Sequence, residues 1–212
     1  MFQPSLEEFK QRAKKGNLIP VYREILADME TPVSAFRKID DGRHSFLLES
    51  MEGGEKWARY SFLGSRPSVV VRGFGRGMEI TRDGKTTKKT FERDPLEAVK
   101  ELLAEYKPVP DPLLPRFFGG AVGFMGYDVV RFFEDLPARE KEGLDVPDVF
   151  FMITDTLVIF DNITHMIKVV SNAHVKGRSA ETAYREATKK IDALVRKLKR
   201  GSSSELGVRS SK

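Results

Sequence analysis

Apolar positions change period several times along this chain, and each change marks an element. Leu6, Phe9 and Ala13 share one face behind Ser5-Leu6-Glu7-Glu8, a capping-box pattern that predicts a short helix stopped by Gly16. Residues 17–27 read as extended. Thr31 with Pro32 behind it predicts an N-cap, proline at the first helical position and a helix through Ile39. Alternating apolar residues predict strands over 44–50, 59–64 and 68–73, then a hairpin of Met78–Arg82 with Lys85–Thr90 turned at Asp83-Gly84. Asp94-Pro95-Leu96-Glu97 caps a helix running to Tyr106. Residues 107–115 hold four prolines and read either as a subdomain boundary or as a long loop across one face. A glycine-punctuated strand over 116–125 and a short helix over 127–134 follow. Val149–Asp161 and His165–Ser171 read as the two strands of a hairpin turned at Asp161-Asn162. The last element is a helix from Ser179 to Lys199, with Ala183, Ala187, Ile191, Leu194 and Leu198 in one stripe.

Strands outnumber helices and most are joined by short hairpins. The predicted fold class is therefore α+β, mainly antiparallel sheets with flanking helices, and not alternating βαβ units. The folded domain is expected over 1–200. Residues 201–212 are a polar, serine-rich tail expected to be disordered: a scar, a frameshifted end or a linker.

Composition narrows the chemistry. Without cysteine there are no disulfides, thiolate metal sites or cysteine nucleophiles, which fits a reducing cytoplasm. No apolar run approaches the ~18 residues of a membrane span. The net charge of +5 is local: residues 189–212 carry eight basic and two acidic side chains, so the rest of the chain is near neutrality. Basic residues at a helix end complement its dipole, and no nucleic-acid partner is expected. His44, His165 and His174 are scattered, and Gly73–Gly77 lacks the ending of a phosphate loop. Asp155 and Asp161 sit too far apart on one strand for a metal pair, and the Asn162-Ile163-Thr164 sequon has no secretory signal behind it.

Ser45-Phe46-Leu47-Leu48-Glu49-Ser50 is the most informative stretch: an apolar strand ending in a carboxylate and a hydroxyl, groups suited to a small zwitterion. With the Gly53-Gly54 turn and Ala58-Arg59-Tyr60-Ser61-Phe62-Leu63-Gly64, it resembles the amino-terminal region of anthranilate synthase component I. Three further stretches, in order, are similar to that family: Leu26 to Phe36, Phe117 to Asp128, and Pro147 to Asp161.

The resemblance implies a chain from the head of tryptophan synthesis, in a family that turns chorismate into anthranilate. The family's catalytic centre, with chorismate and Mg2+, lies in a carboxyl-terminal half that this sequence does not include, so no catalytic or metal residue is carried over and the chain alone is expected to be inactive. What it implies here is the L-tryptophan feedback site at Leu48, Glu49 and Ser50, with Glu49 toward the ammonium group. Arg59, Tyr60 and Ser61 on the facing strand are expected wall residues, Arg59 for a carboxylate and Tyr60 for the indole. Trp57 is expected to anchor the turn by packing. Expected partners are L-tryptophan, the carboxyl-terminal chorismate-binding half and a glutamine amidotransferase subunit (component II), in the cytoplasm and without a membrane. Two alternatives stand beside this: the sister family, aminodeoxychorismate synthase component I, and a stand-alone tryptophan sensor. Strands 149–160 are expected to lie uncovered and to drive self-association.

Overall fold

Thr31 and Ser34 close a reciprocal cap. The Ser34 amide donates to Thr31 Oγ1 at 3.1 Å and the Thr31 amide donates to Ser34 Oγ at 2.9 Å, with Pro32 at the first helical position. Ser5 and Glu8 do the same for the first helix. The computed structural model describes residues 1–49, 59–91, 96–137 and 146–199. The expectations for Ser50, Trp57, the Asp94-Pro95 cap and the tail at 201–212 lie outside the described residues. The helices are α1 (Leu6–Arg12), α2 (Pro32–Ile39), α3 (Leu96–Ala104) and α4 (Ala180–Lys199), with a 3-10 turn at Tyr127–Phe132. The strands are β1 (Leu18–Leu26), β2 (Ser45–Leu48), β3 (Tyr60–Ser65), β4 (Val69–Phe74), β5 (Gly77–Arg82), β6 (Lys85–Thr90), β7 (Gly120–Met125), β8 (Val149–Thr154), β9 (Thr156–Asp161) and β10 (Met166–His174). Thr31→Ala leaves the Ser34 amide at the start of α2 unpaired and is expected to cost about 1 kcal/mol. Thermal denaturation should show it as a fall of about 2–4 °C.

Two antiparallel five-stranded sheets result, in the orders β1-β10-β9-β3-β2 and β6-β5-β4-β8-β7. The α+β arrangement with flanking helices is as the patterning predicts. The run Val149–Asp161 is corrected. It is not one strand of a hairpin but two strands in different sheets, broken at Asp155. There the Asn172 amide donates to Asp155 O at 2.7 Å and Lys190 Nζ donates to Asp155 Oδ2 at 2.7 Å, which holds the crossing point. The segment between β3 and β4 crosses beside it: Arg66 adopts a left-handed φ of 55° and the Ser68 amide donates to Ile153 O at 3.0 Å. The chain thus turns a corner between sheets at two adjacent places.

One face of the first sheet packs under α1, α2 and α4, around Phe9, Ile19, Leu63, Phe160 and Ile191. The α4 stripe includes Val195, which is buried, while Leu194 is only partly so. Basic residues fill the last turn of α4, and Lys38 Nζ donates to Leu198 O at 3.0 Å, as a helix carboxyl end favours. The other face buries Tyr22, Leu157, Ile159 and Val170 beneath Leu114, Phe117 and Phe118. The proline-rich segment is therefore a loop across that face, not a boundary. It is tied down by the buried Asp111, which forms an ion pair with Arg12 and whose Oδ1 accepts from the Leu113 amide at 2.9 Å. Gly16 does not stop α1, which ends at Arg12 with Ala13 as its cap. A Cβ at Gly16 would lie 2.4 Å from Lys107 O, so its role is to let this loop approach.

The second sheet packs on α3 and the 3-10 turn through Val71, Met78, Val99, Leu102 and Val129. Asp83 and Gly84 both take left-handed φ, 50° and 75°, as the tight hairpin turn demands. Strands 149–160 are not left uncovered: Val149, Met152, Ile153 and the apolar residues Leu157 to Phe160 are buried. That expectation fails because two helical layers and the proline-rich loop cover both sheets at this point. Exposed apolar side chains lie instead at Phe124, Met125, Tyr127 and Phe133, on and after the edge strand β7.

Candidate functional site

β2 pairs with β3 in the register Ser45↔Ser65 to Leu48↔Phe62. A Cβ on Gly64 would lie 2.3 Å from Phe46 Cε1, so glycine there lets the Phe46 ring lie across its partner strand. β3 then alternates. Leu63 and Ser61 turn to the helical face, and Phe62 and Tyr60 to the face lined by Leu157, Ile159 and Phe117. The hairpin end is held between a helical layer and an aromatic layer.

Of the expected ligand residues, Leu48 and Glu49 are exposed at the end of β2. The Glu49 carboxylate makes no hydrogen bond or ion pair among the described residues. Ser50 lies outside them. Arg59 faces a carboxylate, but the protein's own: its Nε lies 3.1 Å from Asp161 Oδ2 and its Nη2 2.7 Å from the same oxygen. The guanidinium also stands 4.9 Å over the Tyr60 ring centre. The Tyr60 ring is tilted against that of Phe62, with ring centres 6.2 Å apart, and Phe62 meets Phe117 edge-on at 5.1 Å. Ser61 is fully buried, and its Oγ accepts from Asn162 Nδ2 at 3.2 Å. The structure thus brings Arg59 and Tyr60 together as one stacked unit and turns Ser61 to the opposite face.

Asp161 is the residue that sequence reading misses here. It reads as a turn residue, and it is one: its Oδ1 accepts the amides of Ile163 at 3.1 Å and Thr164 at 3.3 Å. It is also 4% exposed and is the partner of Arg59. Burial by itself would push its carboxyl up. The Arg59 guanidinium and the two amides outweigh that and hold it below the usual aspartate range. The signal available in the sequence was a carboxylate at the end of an otherwise apolar strand, the same signal that singled out Glu49.

No metal chemistry is assigned to these residues. Among the described residues there is no group of three His, Cys, Asp or Glu that could hold an ion. Among the described residues, too, no helix is long and apolar enough to cross a membrane.

No protein-family model matches the chain. Anthranilate synthase component 1 of Acetivibrio thermocellus is 41% identical over 198 residues, 93% of this chain and 40% of that protein. The Aquifex aeolicus protein of the same name is 40% identical over 206 residues, 96% of this chain and 41% of its own. The Synechocystis protein is 40% identical over 203 residues, with 93% and 40% covered. A crystal structure of anthranilate synthase component I from Streptococcus pneumoniae matches 81% of this chain and 36% of that one, at 25% identity and a TM-score of 0.49. The chain is therefore similar over nearly all of its length to part of anthranilate synthase component 1, and spans about two-fifths of the curated relatives it matches.

Proposed function

We propose that this chain is the regulatory and structural amino-terminal portion of anthranilate synthase component I, with an L-tryptophan feedback site at the end of β2 and no catalytic centre of its own. Chorismate and Mg2+ belong, on this reading, to the carboxyl-terminal portion of the enzyme, which pairs with a component II amidotransferase subunit in the cytoplasm. The names of the relatives support the anthranilate branch over the aminodeoxychorismate branch.

One observation carries the ligand reading. Glu49 offers an exposed carboxylate, without a partner among the described residues, at a strand end whose neighbouring strand presents Arg59 stacked on Tyr60. An ammonium group would take Glu49. The aromatic layer of Tyr60 and Phe62 provides the kind of surface an indole packs on. Arg59 meets a ligand carboxylate only by sharing itself with Asp161, so Glu49 and Ser50 contribute most of the recognition. Inhibition then requires that tryptophan bind one arrangement of the two portions better than the other, because only differential affinity shifts a population.

Calorimetric titration of the chain with L-tryptophan, with D-tryptophan as control, tests this. Stereoselective binding weakened about tenfold by Glu49→Ala, the value of one charge-assisted hydrogen bond, is the expected result. In the enzyme that contains both portions, Glu49→Ala and Ser50→Phe should relieve inhibition while leaving uninhibited turnover intact. An unchanged inhibition curve for both variants would remove the site.

A further inference from the structure

Among the described residues the two sheets leave four edge strands, β1, β2, β6 and β7. Three of them carry protections that keep a sheet edge from adding a foreign strand. β1 is covered: Tyr22 and Gln3 exchange backbone hydrogen bonds at 2.7 and 2.8 Å, and the Val109 amide donates to Leu18 O at 2.9 Å. β6 is exposed throughout and carries Lys85, Lys88 and Lys89. β2 is only four residues long. β7 (Gly120–Met125) has no charge, no proline and no cover. Its free side can be assigned. The Ser68 amide donates to Ile153 O, so the odd-numbered residues of β8 turn their backbone groups to β4 and the even-numbered ones to β7. In the register Gly120↔Thr154 to Met125↔Val149, the even-numbered residues of β7 therefore bond to β8, and the Gly126 amide continues that row onto Asp148 O at 2.7 Å. Ala121, Gly123 and Met125 are left with backbone groups directed outward, without a hydrogen-bond partner among the described residues.

Phe124 is 48% and Met125 52% exposed, and Tyr127 and Phe133 stand exposed beyond the strand. A strand that fits here brings apolar side chains and no charge. A second β7 does both. Two identical antiparallel strands are related by a two-fold axis, which draws like charges together on a charged edge such as β6 and none on β7. With the axis through Gly123, Gly123 meets its own counterpart and Ala121 of each copy meets Met125 of the other, so all three outward residues pair on both chains. Val122 then faces Phe124, on the side of the sheet where Phe124 stacks on Phe150 with ring centres 5.8 Å apart. Every facing pair lies on the same side of the joined sheet. Because the other edges are closed, association stops at two copies and does not run on as a filament.

We propose that β7 is a self-docking edge, at which two copies of this chain join their second sheets into one ten-stranded antiparallel sheet. The inference stands independently of the tryptophan reading. Sedimentation equilibrium across a dilution series tests it: the mass should rise from the 24.0 kDa of one chain to twice that value and go no further. Phe124→Lys and Met125→Lys give β7 the protection that β6 has and should each weaken the dimer about tenfold or more. Both side chains are half exposed, so the circular dichroism spectrum of each variant at low concentration should match that of the native chain. Leu113→Lys removes an exposed apolar side chain elsewhere and should leave the dimer unchanged. Amide exchange gives the register: in the dimer the Ala121, Gly123 and Met125 amides should slow, while those of Val122 and Phe124 are protected at every concentration. The proposal is overturned by a chain that stays monomeric at millimolar concentration, by assemblies that grow past two, or by a dimer that both β7 variants leave intact. Leu113→Lys weakening the dimer equally would also overturn it, as would odd-numbered amides that exchange alike in monomer and dimer. Protection of these amides only when the rest of component I is added would assign β7 to that portion and not to a second copy.

Discussion

Asp161→Ala is expected to destabilise the protein by about 2–3 kcal/mol, a fall of roughly 5–10 °C in melting temperature. Three sets of hydrogen bonds end on this carboxylate: those from Arg59, from the Ile163 amide and from the Thr164 amide. The estimate sits at the low end for a buried pair because the Arg59 side chain is 42% exposed and can turn to water once released. Asp161→Asn keeps an acceptor for the turn amides and should cost less, on the order of 1 kcal/mol. The loss is also pH-dependent. The folded-state carboxyl lies below its ordinary range of about 4, so its contribution is complete above that pH and declines as pH falls through the lower folded value. The melting-temperature gap between the native chain and Asp161→Ala should therefore be full at pH 7 and narrow progressively below pH 4. A gap that stayed constant into acid would show that the turn, and not the ion pair, accounts for the effect. The same substitution frees Arg59 beside Tyr60, so calorimetry on Asp161→Ala would also report whether that guanidinium then joins ligand binding.

Gly123→Ala should be at least as damaging. Gly123 pairs with Phe151 across the β7–β8 ladder, and an added Cβ would lie 1.9 Å from Phe150 O and 2.8 Å from Phe151 Cα. These are backbone atoms of a strand paired on both sides, so they do not yield as a side chain would. β7 has to lift, and the expected cost is about 3 kcal/mol, or roughly 6–12 °C. Gly126→Ala is the matched control: its nearest contact would be 3.4 Å, and its φ of −68° suits any residue. Hydrogen exchange should show lost protection along 120–125 in the first variant and none in the second. Equal stability of the two would mean that β7 is not seated on β8 as described.

These two residues also mark how far the sequence could be read. Gly123 was legible as a glycine that punctuates a strand pattern, yet which backbone it approaches depends on the β7–β8 register. Asp161 was legible as a turn residue from Asp161-Asn162, but its partner is 102 positions away in the chain. Glu49 stood out as a carboxylate closing an apolar strand, and it is exposed at the end of β2. Ser61 was expected beside Arg59 and Tyr60 because the three are consecutive. The two-residue period of a strand turns it to the opposite face, where it is buried. Gly16 followed helix-stop chemistry in the sequence and serves a contact with Lys107 in the fold.

By itself the sequence determined what depends on near neighbours. The capping box at Ser5, the N-cap at Thr31 with Pro32 behind it, the left-handed turn at Asp83-Gly84, the alternation of β2 and β3 and the apolar stripe of α4 all arise from groups a few residues apart, and all are present. Only the tertiary structure decided the break at Asp155. An apolar run buried on both faces has the same pattern whether it serves one sheet or crosses between two. The crossing is set by the Asn172 amide and Lys190, from a strand and a helix farther along the chain.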